Sequence, residues 1–212
     1  MYWAQGNISG AAIEWRTALR LAPESEYVLH NLGLLANEQR DYREAETLFR
    51  HALAVRPDYS DAYLDLGKTY ESMGRLQEAE AQLRAAEALS PLEVRAHNAL
   101  SEFYFDTQRF RESQAEARRS VEIEPTTQGN WDLGLAEWRQ GNVGGAERAF
   151  LDAEALSPSE GRSHFMLALL YMTTDRTGDA IREYRAGLQL DPTNSTAIAN
   201  LKKLELSATQ QQ

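Results

Sequence analysis

Apolar, small and polar positions recur along this chain on one period. With the chain laid out in steps of 34, leucine and then a small residue fall at the seventh and eighth places as Leu32-Gly33, Leu66-Gly67 and Leu133-Gly134, relaxed to Leu100-Ser101 and Leu167-Ala168. Tyrosine holds the eleventh place as Tyr2, Tyr70, Tyr104 and Tyr171, and alanine the twentieth as Ala11, Ala45, Ala79, Ala146 and Ala180, with Ser113 the exception. Bulky residues recur at the twenty-fourth place (Trp15, Phe49, Leu83, Phe150, Tyr184) and small ones at the twenty-seventh (Ala18, Ala52, Ala86, Ala153, Gly187). Short side chains at three fixed places let two helices approach to about 8–10 Å, and the bulky neighbours fill what remains. The pattern predicts helices of about 14 residues, packed in pairs.

Punctuation falls on the same period. All six prolines, Pro23, Pro57, Pro91, Pro125, Pro158 and Pro192, follow one another at intervals of 33 or 34. Proline removes a helical hydrogen bond and clashes one turn back, so an even series marks the end of a repeated helical unit. Within the units, Gly6, Gly74 and Gly141 occupy the left-handed stop that a helix end favours.

A helix–turn–helix of this period, with an early Leu-Gly, alanine at the helix crossing, a bulky residue after it and a terminal proline, resembles the tetratricopeptide repeat, from Met1 to about Leu206. The resemblance implies an all-α, right-handed superhelical solenoid of antiparallel helix pairs. Five full repeats are expected at 26–59, 60–93, 94–126, 127–160 and 161–194, after a partial repeat at 1–25 that holds mainly its second helix. Ala36 and Glu137 depart from the pattern at the aromatic place, and one residue is missing after Pro125. Residues 195–207 read as a capping helix with Ile198, Leu201 and Leu204 on one face and Lys202, Lys203 and Glu205 on the other, followed by a flexible tail at 208–212. Met1 falls at the tenth place of its unit, so the chain is expected to be a piece of a longer protein; a native start with an atypical cap is the alternative.

The resemblance further implies that the first helices line a concave groove and that places two, five, six, nine and twelve face into it. At one end these places carry Asp61 and Asp65, followed by Arg95 in the third unit. At the other they carry Phe105, Trp131, Leu135, Trp138, Arg162, Phe165, Met166, Leu169 and Met172, a patch rich in the aromatic and methionine residues that interface centres favour. These residues are the expected partner-binding set. A second reading stays open, in which the aromatics only pack against neighbouring helices. If they bind, replacing Trp138 and Phe165 together by alanine weakens partner binding and leaves helix content intact.

Two family mechanisms are disfavoured. A clamp for a terminal carboxylate needs basic groove residues, but Asp61 and Asp65 stand where they would be needed. The asparagine ladder of sugar-transferring relatives needs asparagine at the sixth place, which here holds Asn31, Asp65, Ala99, Asp132, Met166 and Asn200.

Composition narrows the chemistry. A net charge of −10 and no basic stripe argue against a nucleic-acid partner, and the absence of cysteine removes disulfides, thiol catalysis and cysteine-bound zinc. The longest apolar stretch, Phe165 to Met172, is far below the roughly 20 residues a bilayer needs, so no direct membrane insertion is expected. Cytosol and periplasm are both compatible. His30, His51, His97 and His164 show neither HxxxH nor HExxH spacing, so no metal site is expected, and no nucleophile, base and orienting group stand together. The sequence therefore reads as a non-catalytic scaffold without cofactors that binds a protein or peptide segment. The alternative is the recruiting region of a longer enzyme, such as a transferase.

Overall fold

The computed structural model describes residues 8–21 and 24–210, so Tyr2, Gly6 and Pro23 lie outside the described residues. Twelve α-helices and no strand occur among the described residues: α1 (Ile8–Leu21), α2 (Glu26–Glu38), α3 (Tyr42–Val55), α4 (Ser60–Ser72), α5 (Leu76–Leu89), α6 (Val94–Asp106), α7 (Phe110–Ile123), α8 (Thr127–Arg139), α9 (Val143–Leu156), α10 (Gly161–Met172), α11 (Thr177–Leu190) and α12 (Ser195–Gln210). Among those residues no helix is long and apolar enough to cross a membrane. Pro57, Pro91, Pro125, Pro158 and Pro192 each stand two residues beyond the end of a helix, where the missing N–H costs no intrahelical bond. The chain divides into two compact units, Met1–Phe103 and Tyr104–Gln212, and the division falls inside α6.

In the first unit, α2 pairs with α3 and α4 with α5. The pairing turns on absent side chains. A Cβ on Gly33 would lie 2.5 Å from the Phe49 ring, and one on Gly67 would lie 2.8 Å from Leu83. Phe49 and Leu83 are fully buried, as are Ala45, Ala52, Ala79 and Ala86 at the helix crossings. Leu29, Ala52, Tyr59 and Ala62 form a core that joins one pair to the next, with Leu19 of α1, Leu48, Leu53 and Val55 packed against it.

The second unit repeats the device. A Cβ on Gly134 of α8 would lie 2.5 Å from the Phe150 ring of α9, and one on Gly187 of α11 would lie 2.4 Å from the Phe165 ring of α10. Trp131, Phe150, Leu167, Leu170 and Tyr171 share a core with Ala146, Ala153 and Ala180. Phe165, Ala168, Tyr184 and Ala197 form a second core, closed by Leu188, Leu201 and Leu204. The apolar face expected on the final helix thus packs in part, through Leu201 and Leu204, while Ile198 stays exposed. This helix runs to Gln210, past the expected boundary at 207. No glycine or proline follows Leu206, and the hydroxyls of Ser207 and Thr209 donate to the carbonyls of Leu204 and Glu205, so 208–210 extend α12 instead of belonging to a separate tail.

All five described turns within a pair close in one way. The last residue before the second helix's N-cap is left-handed in each: Arg40 (φ 60°), Gly74 (73°), Gln108 (62°), Gly141 (79°) and Asp175 (55°). The next N–H then returns to a carbonyl five residues back, as in Arg75 to Tyr70 (2.8 Å) and Asn142 to Glu137 (2.9 Å). The sequence marked this stop only at its glycines; Arg40, Gln108 and Asp175 adopt it at a cost of roughly 1–2 kcal/mol each, which the two flanking helices impose.

Two substitutions separate steric from conformational cost. Gly134→Ala should lower stability by about 1–3 kcal/mol, because the fully buried Phe150 ring has to move. Gly74→Ala should cost about 1 kcal/mol although nothing lies within 4 Å of the new methyl, since only its φ of 73° resists. Urea unfolding of both variants checks the pair; equal stability with the parent in either would remove the corresponding cause.

Candidate functional site

The expected partner-binding residues separate by what their side chains already touch. At the acidic end, Asp65 is buried and its Oδ2 lies 2.7 Å from His30 Nε2. The Tyr59 hydroxyl lies 3.3 Å from the other ring nitrogen, and the Thr69 hydroxyl donates to the Asp65 carbonyl. With the proton on Nε2, His30 donates to the carboxylate and accepts from Tyr59. Burial pushes the Tyr59 phenol up to about 12, aided by the charge of Asp61. Asp61 pairs with Arg95 at 2.7 Å. At the acidic end, Asp61 is thus balanced by Arg95, and the Asp65 carboxylate is taken up in an internal hydrogen bond.

In the second unit, Trp131 is only 6% exposed and its indole N–H donates to Ser163 Oγ at 2.9 Å. The Arg162 guanidinium lies over its ring at 4.0 Å and makes no ion pair among the described residues. Phe165 is 8% exposed, with its ring against Gly187 and Tyr184. Leu135, Trp138, Met166 and Met172 are half-buried against the core around Trp131 and Phe150. Phe105 is half-buried and meets Phe110 edge-on at 5.4 Å, with Arg139 over the Phe110 ring. The two most buried aromatics are therefore packing residues first, and alanine at Phe165 would open a cavity instead of trimming a surface.

An open groove of about 470 Å³ lies between α10 and α12. Its floor is Phe165, Met166, Leu169, Tyr184 and Ala197; its rim is Glu160, Arg162, Asp191, Asn194, Thr196 and Asn200. Asn200 Nδ2 donates to the Tyr184 hydroxyl, which donates to Met172 Sδ, so the floor's one polar group is satisfied. Asp191 accepts from the hydroxyl and N–H of Thr193, which hold its carboxyl below the usual range. Arg162, Phe165, Met166 and Leu169 belong to the expected set. Tyr184, Asp191, Asn194, Thr196 and Ala197 do not, because they come from α11, the following linker and the cap. Continuing the repeat register into 195–207 puts Asn200 at the sixth, groove-facing place.

Outside the groove, a polar contact recurs between successive pairs. The Tyr70 hydroxyl and Arg75 both donate to Glu46, at 3.0 and 2.7 Å, with Arg75 stacked over the Tyr70 ring at 4.2 Å. Tyr171 and Arg176 repeat this on Glu147 at 2.7 and 2.9 Å. Burial, then the glutamate, pushes the Tyr171 phenol up to about 12 and raises that of Tyr70. At the eleventh place of the fourth unit, where tyrosine is missing, the 4%-exposed Glu137 accepts from Arg118 and Asn142 at 2.8 and 2.7 Å. A buried carboxylate is tolerated there because both oxygens are engaged by donors.

The structure also brings together Glu154, His164 and Glu183, one each from α9, α10 and α11. A search for histidines one turn apart misses such a trio, since its members lie on three successive helices.

Helix pairs of this length, closed by the same turn and stacked through the same small-residue crossings, define a helical-repeat protein. Models of the tetratricopeptide repeat match residues 2–59, 64–126 and 132–195, and a second such model matches 36–91. The chain belongs to the tetratricopeptide repeat family, whose fold serves protein–protein interaction. No curated protein matches it. Among solved structures it is similar to the Cut9–Hcn1 hetero-tetramer of the APC/C (TM-score 0.79, 18% identity), where 96% of this chain aligns but spans 41% of that one. It is also similar to YrrB, a protein of this family with an unusual peptide-binding site (0.69, 15% identity, 89% of this chain and 97% of that one). A third is Pseudomonas aeruginosa PilF (0.74, 18% identity, 88% and 89%). At these identities the likeness shows the fold.

Phe165→Ala should cost about 3–5 kcal/mol in thermal or urea unfolding, marking a core residue. A loss below about 1 kcal/mol would return Phe165 to the surface set. The raised phenols also set an alkaline limit. A phenol whose pKa is higher folded than unfolded contributes stability fully below the unfolded value of 10, and this is lost as pH rises towards 12. Unfolding midpoints should therefore fall between pH 10 and 12, in step with phenolate absorbance; midpoints flat across that window would contradict the burial assigned to Tyr59 and Tyr171.

Proposed function

We propose that this chain is a non-catalytic scaffold that binds a protein segment by seating its apolar side chains in the α10–α12 groove. One observation carries this reading. The groove floor is apolar and open, with Met166 and Leu169 half-buried over the packed Phe165, whereas Asp65 and Trp131 are already committed to internal partners. An apolar floor with a polar rim suits an amphipathic helix or extended segment, whose apolar anchors desolvate the floor while the rim sets register. Arg162, held flat on Trp131 and without an ion-pair partner among the described residues, offers its charge to an acidic group flanking the anchor. Met166 and Leu169 adapt the floor to the anchor's shape. The peptide-binding site of YrrB and the assembly of Cut9 with Hcn1 supply analogies for such a role.

Replacing Met166 and Leu169 together by glutamate should abolish recovery of the partner in affinity purification read by mass spectrometry. Helix content should stay unchanged by circular dichroism, because both residues are only half-buried. The same partners recovered at the same yield by the folded variant would move binding away from this groove.

A further inference from the structure

We propose that Glu154, His164 and Glu183 form a binding site for one zinc ion, which ties α9, α10 and α11 together. His164 Nδ1 lies 2.8 Å from Glu183 Oε2, and Nε2 lies 3.8 Å from Glu154 Oε1. One ligand atom from each residue lies within 4.8 Å of the other two. The two carboxylates lie against different ring nitrogens and one ion takes only one of them, so the glutamate on the other side has to swing towards the chosen nitrogen; a tetrahedral ion with bonds of about 2.1 Å then draws its ligand atoms to roughly 3.4 Å apart.

Charge is the second observation. Two carboxylates face a single imidazole, and among the described residues neither has an arginine or lysine partner. Among those residues the imidazole, at 3.8 Å, is also the one opposite number of Glu154. The three side chains are 30%, 14% and 23% exposed in chain order, so solvent screens this excess incompletely. A neutral imidazole leaves two negative charges and an imidazolium leaves one, whereas a divalent cation with neutral histidine cancels both. The open side leaves room for water as a fourth ligand.

Donor chemistry favours a transition ion over magnesium or calcium, with zinc as the probe. An imidazole nitrogen beside two carboxylates suits zinc, while magnesium and calcium take all-oxygen shells. The pattern also recurs in the sequence: Glu87, His97 and Glu116 reproduce the intervals of Glu154, His164 and Glu183, two repeats earlier. In that earlier trio Glu87 pairs with Arg84 at 2.9 Å and His97 Nε2 lies 3.1 Å from the Pro91 carbonyl, so the unpaired carboxylate excess belongs to the later trio.

The test is calorimetric titration of zinc into the tag-free, chelator-stripped chain, with melting temperature followed in parallel. Saturable zinc binding is expected, with a melting temperature raised by about 5 °C at saturation. Glu183→Gln and Glu154→Gln should each weaken one binding event by roughly tenfold or more, or remove one ion per chain, while keeping the fold. His51→Gln, which changes an exposed histidine outside the trio, should change nothing. The proposal is overturned if zinc gives no saturable heat, or if both glutamine variants bind with the parent's affinity and stoichiometry. It is equally overturned if His164→Gln loses stability while the parent gives no zinc response, which leaves the trio an ion bridge alone.

Discussion

The close approach of two helices over a missing side chain governs this structure. Gly33 admits Phe49, Gly67 admits Leu83 and Gly134 admits Phe150, each at a distance that even a methyl group would violate. The bulky residue therefore lies flat against the facing backbone, and the two axes come as near as the backbones allow. That approach leaves the linking turn little freedom. It closes through a left-handed residue and a returning N–H in every described pair, and Arg40, Gln108 and Asp175 accept the strain where glycine is absent.

Stacking of one pair on the next follows a different logic. The apolar contacts are supplemented by a charged clasp, in which Glu46 takes the Tyr70 hydroxyl and Arg75, and Glu147 takes Tyr171 and Arg176. The tyrosine is largely buried, so its hydroxyl needs an acceptor; the arginine balances the glutamate and covers the ring. Glu137 shows that the place can change chemistry if the partners change with it. There Arg118 and Asn142 replace the phenol's role from the opposite direction.

Packing decides which of the groove side chains stay available. Trp131 and Phe165 have the composition of an interface but serve the interior, while Met166, Leu169 and Arg162 remain available. The acidic end is similarly occupied, since His30 and Arg95 engage the carboxylates of Asp65 and Asp61. Between α10 and α12 a groove leaves apolar surface uncovered.

The period, the pairing of helices and the small–large crossings were all legible in the residues, because each rests on local sterics: proline ends a helix, glycine permits contact, and bulk fills the gap. So was the polar-backed cap, apart from its last turn and the exposure of Ile198. Which groove residues are exposed was not legible, since Trp131 and Phe165 were grouped with exposed groove residues such as Arg162, and only their neighbours Ser163, Gly187 and Tyr184 bury them. Side chains from α9, α10 and α11 meet at Glu154, His164 and Glu183 although they belong to three different helices of the chain. The sequence by itself determined the repeating unit, because a repeat is held by contacts within a few turns of the chain. Tertiary structure alone decided which side chains are spent on the interior and which converge at a surface, because those outcomes depend on side chains of other helices, in the same repeat and the next.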